Sequence, residues 1–390
     1  MNILRRTSTT RLAIAGALIV LAAVAASMAL ASGSGPTPPK RSLAEAIHHS
    51  LAGPRVAGVS ARIHFSNHLL PSGALPESAG GQPLLAGATG RLWATAGKAR
   101  LELQAENGDT EIGFDGTTLV VYDVANSTAY EMAMPPHHSS HDSSASDHGV
   151  PSIARIQHGL DQLARHVTLS GAIAGSIAGQ PAYTVRVSPK HDGGLLGAVE
   201  LAFDADHAVP LRVAVLSQGD SSPVVALTAT DISFGSVPAA DLAVHLAPGT
   251  RIVHVHPPQV PAHQGSAANG PEVVGTAAVA RAVPFTLAAP ASLVGLPRQG
   301  VRLIDGSGTP GAMVVYGHGL GAIVVLEQQA GAHDAGPLGS LPRVSVKGAS
   351  GHELATALGT AIQFDRGGVR YTLVGSLPAT AAEAAARALG

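Results

Sequence analysis

Between Pro135 and Gly149 the chain reads PPHHSSHDSSASDHG, which sets His137, His138, His141 and His148 beside Asp142 and Asp147. Imidazole is a ligand for Zn²⁺ and Ni²⁺. The intervening residues are mostly serine, alanine and proline, and ordering such a stretch around an ion costs about 1–2 kcal/mol per residue. The four histidines are therefore weak metal candidates on a solvated connection, and no cofactor is expected. Two further pairs have ligand-like spacing: His64 and His68 in HFSNH, and His254 and His256 in RIVHVHPP. Neither pair has a visible third ligand, so packing roles are expected. His48 and His49 fall near the end of a short helical pattern, where imidazole is favourable against the helix dipole.

No nucleophile motif is present. YGHGLG (Tyr316–Gly321) is neither a nucleophile elbow nor a dinucleotide fingerprint, and it reads as a tight turn. Asp109, Asp115, Asp123, Asp204 and Asp206 fall mostly in turns, with no pair poised for acid–base work. An enzyme is not expected. Formal net charge is −2, which leaves no electrostatic footprint for nucleic acid. The absence of cysteine removes disulfides, thiolate metal sites and a lipidated amino-terminal cysteine from consideration.

The elements that position these residues follow from periodicity. Residues 1–31 join a basic start (Arg5, Arg6, Arg11) to the apolar run Leu12–Ala31, which ends in Ala29-Leu30-Ala31. This is either a cleaved signal peptide or a transmembrane anchor, and in both cases the remainder is exported. Residues 32–41 are a Gly/Ser/Pro linker. SLAEAIHHSLAG follows as a short helix with a capping box from Ser42 to Glu45.

Up to about Leu246 the period is mostly two. Alternation puts Leu101, Leu103, Ile112, Phe114, Tyr130, Met132, Tyr183, Val185, Leu201, Phe203, Leu211 and Val213 on one inward face, opposite residues such as Arg100, Glu102, Arg186, Glu200 and Arg212. Such alternation predicts antiparallel hairpins with one covered face and one wet face. PSIARIQHGLDQLARHV breaks the period with Ile153, Ile156, Leu160, Leu163 and Val167 at helical spacing, an amphipathic helix. Aromatic residues make up only 3% of the chain, so small side chains must line the interior. Residues 257–283 read as a Pro/Gly-rich linker, and 284–390 as a separate small α+β domain.

The stretch GRLWATAGKARLELQAENGDTEIGFDGTTLVVYDVANSTAYEMAMP resembles the opening sheet of LolA-like outer-membrane lipoprotein carriers. IAGQPAYTVRVSPK with GAVELAFDADHAVPLRVAV resembles their second half. GAMVVYGHGLGAIVVLEQQ and VRYTLVGSLPATAAEAAARAL resemble the second domain of RseB/MucB-type regulators of envelope-stress sigma factors, in an exported protein of actinobacterial type. The resemblance implies an α+β, mainly β fold: a half-open antiparallel β-barrel covered by helices over residues 42–256, then the smaller domain. It also implies that the inward residues named above line an apolar groove for a lipid or the acyl chain of a lipoprotein. The alternative that it implies is an envelope-stress regulator contacting an anti-sigma factor or another membrane protein through 284–390. The expected location is the outer face of the cytoplasmic membrane or the exported space.

Overall fold

The computed structural model describes residues 35–70, 83–106, 108–134, 150–191, 193–255, 273–306, 309–331 and 341–389. The chain is mainly β with few helices, and the strands form two sheets. The histidines of the Pro135–Gly149 stretch, His256 and the apolar run Leu12–Ala31 lie outside the described residues. Among the described residues no helix is long and apolar enough to cross a membrane.

Helix α1 (Leu43–Ala52) starts where the sequence predicts. The Ser42 side chain accepts from the Glu45 N–H, and the Glu45 carboxylate accepts from the Ser42 N–H, closing a capping box. The first sheet then runs through β1 (Val59–Asn67), β2 (Gly87–Ala94), β3 (Ala99–Ala105), β4 (Gly108–Phe114), β5 (Thr118–Asp123) and β6 (Thr128–Ala133). A helical turn, α2 (Pro83–Ala86), precedes β2. Helix α3 (Ile153–Leu163) leads into β7 (Val167–Leu169), β8 (Ile173–Ile177), β9 (Gln180–Pro189), β10 (Leu196–Asp204), β11 (Pro210–Ser217) and β12 (Pro223–Phe234). Strand β13 (Arg251–His254) ends the unit.

The sheet order is β13-β6-β5-β4-β3-β2-β1-β12-β11-β10-β9-β7, with β8 paired to β9. β12 thus returns to lie beside β1, which joins two meanders into one sheet of 13 strands. After β12 the chain crosses the charged side of the early strands, and Val244 settles on Gly113. A Cβ at Gly113 would fall 2.3 Å from a Val244 methyl, so only glycine admits the crossing. The segment then adds β13 parallel to β6, the one parallel pairing of the described strands.

The second sheet follows α4 (Thr276–Ala282). It comprises β14 (Ser292–Leu293), β15 (Leu296–Gly306), β16 (Thr309–Tyr316), β17 (Ile323–Gln329), β18 (Arg343–Val346), β19 (Ala349–Thr356), β20 (Gly359–Arg366) and β21 (Val369–Gly375). Their order is β14-β15-β16-β17-β21-β20-β19-β18, and α5 (Ala379–Ala388) seals the core with Ala382, Ala385 and Ala386. Val273 and α4, from the stretch that sequence reads as linker, belong to this second core: Val279 is fully buried in it and Val274 bridges to Arg302. A helix of only seven residues, made mostly of alanine, gave too weak a periodic signal to announce a core element. The two units touch where the Leu195 N–H donates to Ser376 Oγ at 2.9 Å.

Candidate functional site

The inward residues divide into a closed part and a half-open part. On the early strands Leu101 faces Ile112 and Leu92, and Leu103 faces Gly90 and Thr110. Leu101, Leu103, Ile112 and Met132 belong to one buried cluster with Ile63, Phe65 and Leu84. Leu103 is 0% exposed, and Leu84 and Leu85 of α2 are buried with it. Tyr130 and Phe114 are half-buried, Tyr130 against the same cluster. Leu211 sits beside a register shift between β10 and β11 and is fully buried.

On the late strands a second small cluster forms under α1. Tyr183 faces Phe203, with ring centroids 5.9 Å apart, and both pack with Val185, Ala205, Leu43 and Ala46. The Tyr183 hydroxyl donates to the Pro39 carbonyl at 2.6 Å, so a fully buried polar tip is satisfied. That bond also ties the segment ahead of α1 onto the sheet.

Beyond this cluster the cover stops. The pleat puts two apolar rows side by side. In one, Val185, Leu201, Val213 and Leu227 stand directly opposite one another across β9 to β12. In the next, Leu169, Val187, Val199, Val215 and Val225 do the same from β7 to β12. Leu201, Val213 and every member of the valine row are half-buried. No charged or polar side chain interrupts either stretch. The opposite side of the same strands carries the ion pairs Arg186–Glu200 at 3.4 Å and Arg212–Glu200 at 3.6 Å. Burial of Arg212 pushes its guanidinium below the usual arginine range, and Glu200 pulls it back.

Helix α3 borders the open rows. Ser152 caps it by accepting from the Arg155 N–H, and the His48 Nδ1–H donates to the Pro151 carbonyl at 2.8 Å, which pins its start to α1. The helix has an apolar stripe at three- and four-residue spacing, yet it buries no residue. Ile153 is 43% and Leu163 45% exposed. Leu160 and Val187 pack against the same cluster, so the helix stripe and the valine row adjoin.

His64 lies in register with Thr89 and Thr228, the His68 N–H donates to the Val224 carbonyl, and His254 stands 3.5 Å from Glu131. His49 pairs with Asp206 at 3.5 Å. Among the described residues no group of three ligands could hold a metal ion.

The second sheet carries an apolar face that strand periodicity does not mark. On the outer side of the second sheet Val315, Val324, Val374, Ala361 and Leu354 stand opposite one another from β16 to β19. Val374 is 46% exposed and the other four are half-buried. The signal was present in AIVVLEQQ and RYTLVG, where residues on both faces of the strand are apolar.

No family model and no curated protein matches the sequence. Among solved structures the chain is similar to MucB in complex with MucA(peri), with 17% identity, a TM-score of 0.38, and coverage of 89% of this chain and 96% of that one. It is similar to the Pseudomonas aeruginosa MucA/MucB complex with 18% identity and a TM-score of 0.38, over 88% and 94% of the two chains. An uncharacterized conserved protein from Thermus thermophilus shows 11% identity and a TM-score of 0.33, over 55% of this chain and 97% of that one. These likenesses concern chain path alone.

Proposed function

We propose that this chain is an exported, non-enzymatic binding protein whose first unit holds the acyl chain of a lipid or acylated protein. The guest lies against Leu201, Val213 and the valine row and is bordered by α3. The support is that Leu201, Val213 and the whole valine row stay half-buried, beside the buried Val185 and Leu227, in a sheet whose early strands bury Leu101, Leu103 and Ile112 completely. An acyl chain suits them because it needs no polar partner and the rows offer none. Each methylene removed from water contributes about 0.8 kcal/mol, so a handful of methylenes suffices for measurable affinity. Native mass spectrometry of the full chain, exported and purified without detergent, tests this. An added mass of an acyl lipid supports it, and a chain that neither carries nor takes up such a lipid opposes it.

A second reading makes the chain an envelope regulator that contacts an anti-sigma factor or another membrane protein through its second unit. The apolar row Val315–Leu354 supports it, since contiguous exposed apolar surface marks interaction sites. The MucB of the solved complexes is bound to MucA, and a partner of that kind would suit an exported chain. The two readings are compatible, because the rows lie on different sheets. Loss of partner binding in Val374→Glu, with acyl binding retained, would support the second on its own terms.

A further inference from the structure

Glu327 is a buried acid that neither binding face uses. It follows Ile323 and Val325 on the inward face of β17 and is fully buried. Its neighbours in register are Ala312 on β16 and Tyr371 on β21, and Tyr371 stacks on Phe364 at 5.0 Å. Oε2 accepts one hydrogen bond, from the Ala288 N–H at 2.8 Å, and Oε1 has no partner. A buried carboxylate needs several donors or a cation, and a single amide is too little.

Ala288 belongs to PFTLAAP, a strap over residues 284–290 between α4 and β14. Phe285 and Leu287 pack onto the core, and the Arg298 guanidinium donates to the Ala289 and Pro290 carbonyls. The strap forms one wall of a pocket of about 920 Å³. Gln329, the turn from Arg366 to Val369, Tyr371 and Ala388 complete the pocket. Glu327 therefore sits where the strap meets the sheet, one pleat repeat from the pocket's Gln329.

The groups around it do not neutralise it. Tyr371 from β21 and Tyr316 from β16 are both pushed upward by burial and by the Glu327 charge, and the Tyr316 hydroxyl has no partner. Arg298 on β15 and Arg366 on β20 direct their guanidinium groups to backbone carbonyls. Arg281 of α4 bonds its own helix, and Glu383 and Arg387 of α5 pair with each other. The strap itself carries no ionisable side chain. Burial pushes the Glu327 carboxyl up to about 7, against the pull of the Ala288 N–H.

We propose that Glu327 is a pH-sensitive latch: as a neutral acid it lets the strap close on the core, and on losing its proton to solvent it releases the strap and opens the pocket. Ala288, its donor, and Tyr371, its neighbour in register, both line the pocket, so release of the strap exposes the new charge to water there.

Hydrogen exchange of the full chain tests this, following peptides over 284–290 from about pH 5 to about pH 8 after correction for intrinsic rates, with β3 peptides as reference. The latch predicts that strap protection falls more than about tenfold over this range and levels off above the folded value, while β3 does not change. In Glu327→Gln the strap stays protected at every pH. Wild-type strap protection that tracks β3 throughout, or a Glu327→Gln variant that keeps the wild-type profile, would overturn the proposal. If Glu327→Gln fails to fold, the wild-type profile and the infrared band of a carboxyl titrating near neutrality decide the matter: absence of either refutes the latch.

Discussion

Leu201 on β10 stands directly across from Val213 on β11, and both remain half-buried on the face where the early strands bury their leucines completely. The difference lies in cover. Leu103 has α2 above it, whereas α3 reaches the cluster beside Leu201 through Leu160 and leaves Ile153 and Leu163 exposed. A single apolar face is thus core at one end and open at the other.

That contrast makes Leu103→Phe and Leu201→Phe a matched pair. At Leu103 extra volume overfills a closed core and should cost about 1–3 kcal/mol. At Leu201 the larger ring projects into open space, so stability should change by less than about 0.5 kcal/mol. Acyl binding should weaken in Leu201→Phe. Chemical denaturation of both variants checks the first half, and titration with a fluorescent long-chain fatty acid checks the second.

Tyr183→Phe removes the hydrogen bond to the Pro39 carbonyl while leaving the ring against Phe203. The expected loss is about 0.5–1.5 kcal/mol, because the carbonyl is left without its donor. Limited proteolysis should become faster ahead of α1, and unchanged cleavage there would show that this bond does not anchor the segment.

Ser42→Ala opens the capping box of α1, at an expected cost of about 1 kcal/mol. Since α1 covers Tyr183 and Phe203, the loss should appear in the global unfolding of the first unit. A change confined to the helix end would mean that α1 is dispensable to the sheet.

The pH dependence of stability follows from Glu327. Its folded value, about 7, lies above the ordinary 4.5. Below the ordinary value the acid is neutral in both states and its contribution to stability is fully present. As pH rises from there through the folded value the unfolded chain ionises first, so stability falls and then levels off. The second unit of Glu327→Gln should lack this decline, which thermal melts across the range will show.

Much of this arrangement is legible in the sequence because the pleat has period two. Alternation alone puts Leu101, Ile112, Val185, Leu201 and Val213 on one face, and the strand registers set Leu101 opposite Ile112 and Leu201 opposite Val185 and Val213. The helix of Ile153–Leu163 and the Ser42 cap are equally local signals. Cover is not local. Whether a leucine on that face is closed or open depends on where α1, α2 and α3 settle, tens of residues away in sequence. Glu327 was visible as the acid in the inward row Ile323–Val325–Glu327, but its single donor comes from a strap that periodicity does not mark. The second apolar row was hidden because a strand apolar on both faces reads as buried on both.

Acyl-chain binding by the half-open rows of β9 to β12 is the property on which the proposed function depends. The most direct measurement is titration of the full chain with a fluorescent long-chain fatty acid, comparing wild type with Leu201→Glu and Val213→Glu. The wild type should bind saturably. Each glutamate, placed on a half-buried surface, should leave the fold intact while reducing affinity by more than about tenfold, the equivalent of about 1.4 kcal/mol. A wild type that does not bind, or glutamate variants that fold and bind as the wild type does, would mean that these rows are not an acyl-chain site.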